Sequence, residues 1–69
     1  LVNNLLIVSF KSPKEIKIKD LEIINIHRLY KTNDGFYTVE YFLDDNNNVD
    51  ELIKQLKEKL KIDINYEIN

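Results

Sequence analysis

The sequence contains no cysteine, no methionine and no tryptophan, and only one glycine, one proline and one histidine. Each shortage removes a class of chemistry. Without cysteine there is no disulfide, no thiolate nucleophile and no sulfur ligand for a metal centre. His27 alone cannot build an imidazole metal site. Gly35 alone leaves no glycine-rich loop to cradle a phosphate. Neither sign of charge dominates: ten basic residues stand against twelve acidic ones, for a net charge of −2. The signs are interspersed, so no strong field steers the chain to nucleic acid or a membrane surface. The longest apolar run is Leu5-Leu6-Ile7-Val8, far short of the ~20 residues a membrane span needs. The start has neither a basic stretch nor a small-residue cleavage site, the marks of a secretory signal. With the lack of cysteine, that predicts a cytoplasmic location.

A chain of 69 residues predicts one domain, residues 1–69. A domain of about 60 residues buries only roughly 60% of the surface its unfolded chain exposes. Such a core rarely supplies more than about 3–5 kcal/mol without a staple. Added support is expected from a second copy or from the rest of a longer chain. The chain begins at Leu1 and has no Met, which reads as a piece of a larger protein or a processed product.

Residues 4–10 form a nearly continuous apolar run, which fits a central strand covered on both faces. Ser12-Pro13-Lys14-Glu15 carries a capping-box pattern with proline at the first helical position, predicting a short helix over about 13–21. An extra strand at 15–19 is the alternative. Residues 23–31 and 36–44 alternate as two strands around Asp34-Gly35, a strong hairpin signal. Parity puts Ile24, Ile26, Arg28 and Tyr30 on one face with Tyr37, Val39, Tyr41 and Leu43. Asn25, His27, Leu29 and Lys31 fall on the other with Phe36, Thr38, Glu40 and Phe42. The first face is the more apolar and should meet a helix. Over 48–61, Asn48 suits a cap, and Val49, Leu52, Ile53, Leu56 and Leu60 form one apolar stripe. Residues 62–68 alternate as a half-buried edge strand.

The expected class is therefore α+β: a β-α-β-β-α-β chain, with an antiparallel sheet and its helices on one face, the ferredoxin-like split unit. In length and order it resembles an ACT-type domain. Leu21 through Asn69 is similar to the second half of such domains: strand, polar turn at Asn33-Asp34-Gly35, strand, helix, closing strand. The resemblance implies a regulatory or assembly module that works as a homodimer. The family's ligand loop follows the first strand. Here that places Lys11, Ser12 and Pro13 in a ligand-facing role; of the family's Asp, Pro and Gly, only the proline is matched, by Pro13. The C-terminal cytosolic domain of bacterial membrane proteins of the MgtC type looks similar.

The residues argue against catalysis. A nucleophile needs a base in reach and a group to orient it. Ser12 reads as a cap and Ser9 as a strand residue. His27 with Glu40 could be a base or pH switch, but the face offers no further catalytic group, so an exposed cross-strand pair is preferred. Asp44 through Asp50 is rich in oxygen donors. It lacks the central glycine of a calcium loop, however, and the twelfth position counted from Asp44 holds Gln55. No metal or cofactor is expected. An RNA-binding sheet surface would stack bases on aromatics of two central strands. The centre of the third strand instead holds Thr38, and the net charge is negative. The expected interface is an apolar patch on the outer sheet face built from Leu29, Phe36 and Phe42, joined by alternate residues of the first strand, either Leu5 and Ile7 or Leu6, Val8 and Phe10. Edge pairing through 62–68 or 23–31 is the other route.

Overall fold

The computed structural model describes residues 4–69, and Leu1, Val2 and Asn3 lie outside the described residues. Six elements follow in order: β1 (Asn4–Lys11), α1 (Ile18–Leu21), β2 (Ile26–Lys31), β3 (Phe36–Leu43), α2 (Val49–Leu60) and β4 (Asn65–Ile68). The four strands make one antiparallel sheet in the order β2-β3-β1-β4. Leu6, Val8 and Phe10 of β1 and Tyr37, Val39 and Tyr41 of β3 join Leu52, Ile53 and Leu56 of α2 in one core. The helices therefore cover a single face.

The α2 helix forms where its stripe predicts. The Asn48 side chain accepts the Glu51 amide at 3.2 Å, and Asp50 and Glu51 sit at the positive end of the helix. Lys61 closes it with a left-handed φ of 59° and donates its amide to the Lys57 carbonyl. The preceding polar loop spends its oxygens on itself: an Asp44 carboxylate oxygen accepts the Asn46 amide, and the Asn47 side chain accepts the Asp44 amide.

The hairpin turns through Thr32–Gly35. Gly35 has a φ of +83°, and a Cβ there would lie 3.0 Å from the Ser12 carbonyl oxygen. Glycine is required on both counts. The Ser12 amide donates to the Gly35 carbonyl at 3.1 Å, tying the end of β1 to the turn.

Four expectations are corrected. First, β1 is covered on one face only: Leu6, Val8 and Phe10 are buried, whereas Leu5, Ile7 and Ser9 are half-buried on the far side. Second, the helix expected over about 13–21 is confined to Ile18–Leu21, and no strand forms at 15–19. The Ser12 hydroxyl turns onto Lys14, accepting its amide and donating to its carbonyl, so it caps no helix. A strap follows over 12–25, with its one helical turn at Ile18–Leu21, and β-branched Ile16, Ile23 and Ile24 on either side of that turn suit extended backbone better than helix. Third, the closing strand is shorter, Asn65–Ile68 rather than 62–68, because Ile62 and Ile64 pack against the core instead of pairing.

The fourth correction is a register shift. Ile26 opposes Tyr41, but Arg28 opposes Glu40, so one residue is extra in β2. This bulge reverses the facing of everything after it. Leu29 opposes Val39 and packs against the core. Arg28 and Tyr30 turn outward, and the Arg28 guanidinium donates to the Tyr30 hydroxyl at 2.9 Å. The misfit of Arg28 on the apolar face is thereby resolved.

Candidate functional site

Two regions could meet a partner or ligand: the open face of the sheet, and the end where β1, the hairpin turn and the end of α2 converge.

On the open face, β3 presents Phe36, Thr38, Glu40 and Phe42. Phe36 is 42% exposed and Phe42 is 48% exposed. The expectation for both holds in orientation. The Phe42 ring tilts against the His27 ring, with centroids 4.6 Å apart, and its strand neighbour is Leu5. The two phenylalanines do not join. They stand six positions apart along the strand, roughly 20 Å at the usual rise. Between them runs a polar band in which the Ser9 and Thr38 hydroxyls meet at 3.4 Å and His27 Nε2 stands 4.0 Å from Glu40 Oε1. Leu29, expected to bridge the patch, is on the opposite face. One contiguous apolar surface built from Leu29, Phe36 and Phe42 is therefore absent. Phe10, the only aromatic of β1, is buried and stacked on Tyr37 at 5.3 Å, so it cannot stack a base on the open face.

On this face Ser9 bonds to Thr38, and His27 contacts Glu40 and Phe42; beyond the end of β1, Ser12 bonds to the backbone of Lys14. Among the described residues neither serine hydroxyl is hydrogen-bonded to His27, and no group of three or more His, Cys, Asp or Glu side chains could hold a metal ion.

At the converging end, the strap and the last turn of α2 enclose an open cavity of about 410 Å³. Ser12, Pro13 and Lys14 line one side of it; Lys59, Leu60 and Lys61 line the other. Ile16 and Ile62 add apolar wall. Two of the three loop residues expected to face a ligand, Ser12 and Pro13, are thus placed at a cavity. Lys11 is exposed at the end of β1 and is not among its lining residues. The rim lysines went unrecognised in the sequence because Lys59 and Lys61 equally well complement the negative end of a helix.

Compared with family models, curated proteins and solved structures, the chain gives no significant match. Site assignments therefore rest on geometry.

Two residues that parity places on the covered face have a role the sequence did not reveal. Tyr37 and Tyr41 of β3 fasten the strap. The Tyr37 hydroxyl accepts the Ile16 amide at 3.0 Å, and the Tyr41 hydroxyl donates to the Leu21 carbonyl at 2.6 Å. Burial pushes the Tyr41 phenol well above its ordinary pKa of 10.0, because the phenolate would be poorly solvated there. Lys31 adds its ammonium over the Tyr37 ring at 5.6 Å. The only sequence signal was tyrosine at positions where a purely apolar core would take Phe or Leu.

Proposed function

We propose that the chain is a non-catalytic regulatory or assembly module of ferredoxin-like, ACT-like form, which works by self-association and small-ligand binding. The strand order β4-β1-β3-β2 with both helices on one face supports that form. The observation that carries the function is the cavity behind Pro13. It joins the loop after β1 to the end of α2, so a ligand seated there would bias the position of the strap. The lysine rim suits an anionic group, a carboxylate or a phosphate. No helix among the described residues is long and apolar enough to cross a membrane.

Sedimentation velocity over a concentration series tests the self-association: a concentration-dependent dimer is expected, and a strict monomer at every concentration removes it. Thermal shift with a panel of amino acids and small organic acids tests the ligand. Stabilisation that disappears in Lys14→Ala is expected, and no shift from any anion rules out the ligand-binding half.

A further inference from the structure

Edge strands expose a row of unpaired amides and carbonyls, which most proteins blunt with charge, proline or a bulge. The two edges here differ in that respect. β2 carries a bulge and the basic residues Arg28 and Lys31. β4 carries neither bulge nor proline, its one charge is Glu67, whose backbone groups face β1, and among the described residues no strand pairs with its outer side. Tyr66 and Ile68 lie there, 46% and 54% exposed. They oppose Val8 and Leu6, so they lie on the helix-covered face of the sheet, beyond the cover.

The backbone direction of β4 is set by its pairing. Leu5 and Asn69 exchange both backbone hydrogen bonds, at 3.0 and 2.9 Å. Successive residues of a strand point these groups to opposite sides. Asn65, Glu67 and Asn69 therefore spend theirs on β1, whereas Tyr66 and Ile68 aim theirs at the open edge.

We propose that this edge pairs with β4 of a second copy, antiparallel, about a two-fold axis perpendicular to the sheet and midway between the two Tyr66 residues, to give a continuous eight-stranded sheet. This rests on the self-association proposed above and specifies its surface. The choice of partner follows from self-complementarity. Residues directly opposite in a sheet share a face, so only a few registers exist. Centring on Glu67 sets two carboxylates directly against each other, which is destabilising. Centring on Tyr66 avoids that fault and keeps the whole pairing within the described residues. Tyr66 exchanges bonds with the partner's Tyr66, and Ile68 falls opposite the partner's Ile64 on either side, which extends each β4 by one residue on pairing. On the open face Glu67 then meets the partner's Asn65, an amide that can donate to the carboxylate. On the helix-covered face the exposed tyrosines and isoleucines cover one another.

The chain lacks cysteine, so single-cysteine variants at exposed positions report the register cleanly. At the axis, Tyr66→Cys places two Cα atoms about 5.5 Å apart, within the span a disulfide accepts. Glu67→Cys places them roughly 8 Å apart, outside it. Under mild oxidation a covalent dimer is expected to form at least about tenfold faster for Tyr66→Cys than for Glu67→Cys. The reverse order overturns the Tyr66-centred register. Absence of cross-linking in both variants, with the parent chain still sedimenting as a dimer, overturns the β4 edge but leaves self-association standing. A parent chain that is monomeric throughout removes both.

Discussion

The two faces of the sheet carry similar aromatic content in opposite circumstances. Phe10, Tyr37 and Tyr41 lie beneath α2 and the strap, while Tyr30, Phe36 and Phe42 face outward. Hydrophobicity alone would bury phenylalanine and expose tyrosine, yet β3 does the reverse. The reason is the strap. Residues 12–25 contain a single helical turn, so much of their backbone needs partners from elsewhere. Tyrosine at the covered positions supplies apolar area to the core and a hydroxyl to the strap with the same side chain. The open face has no such backbone to satisfy, and its rings lie on the sheet beside polar neighbours.

If that contrast is right, substitutions should divide by face. The largest effect is expected from Leu56→Ala, which empties a fully buried position under the sheet. A loss of about 2–5 kcal/mol in urea unfolding is expected, enough to consume most of the stability of so small a domain. Tyr41→Phe keeps the ring and deletes the bond to Leu21, for an expected loss of about 1–3 kcal/mol. It should also change the alkaline limb. The folded pKa of Tyr41 lies above its ordinary 10.0, so its contribution is complete below pH 10.0 and is lost as pH rises toward the folded value. Melting temperatures recorded against pH should fall above pH 10.0 in the parent chain and fall less steeply in Tyr41→Phe. An equal fall in both would show that Tyr41 does not govern the alkaline limb.

Asn48→Ala should cost about 1 kcal/mol by removing the cap of α2. On the open face, Phe42→Ala should stay within about 0.5 kcal/mol of the parent chain, because the ring meets only His27 and its strand neighbours. A cost comparable to that of Leu56→Ala would erase the distinction between the faces. The smallest effect is expected in the hairpin turn, where the Thr32 hydroxyl donates to Asp34 and holds its carboxyl below the ordinary 3.8. A lowered carboxylate contributes stability above its unfolded pKa and loses it as pH falls through the folded one. Asp34→Asn should therefore slightly flatten acid unfolding and leave neutral stability almost unchanged. Steeper acid sensitivity in the variant would contradict that assignment.

The elements legible from sequence were those whose pattern is local. The stripe of Leu52, Ile53 and Leu56 with its Asn48 cap, and the alternation of Tyr37, Val39 and Tyr41 about the Gly35 turn, each reflect one period and one punctuating residue. The candidate site was legible in pieces. Phe36 and Phe42 face outward as parity required, and Ser12 and Pro13 reach a cavity, but Lys14, Lys59 and Lys61 at its rim come together only because the strap crosses the end of α2. Leu29 was misplaced because a bulge at His27 and Arg28 leaves no mark in composition, and one extra residue reverses every later side chain. The strap was misread because Ser12, Pro13 and Glu15 satisfy a helix-start pattern that the competing bonds to Gly35 and Tyr37 override.

Local periodicity and turn chemistry thus determined that this chain makes a sheet with a single well-formed helix across it, since those preferences are carried by neighbouring residues. Tertiary structure alone decided how 12–25 is held, which way Leu29 turns, and which edge is left open at Tyr66. Each of these depends on hydrogen-bond partners that are distant in the chain and meet only once the sheet has closed around them.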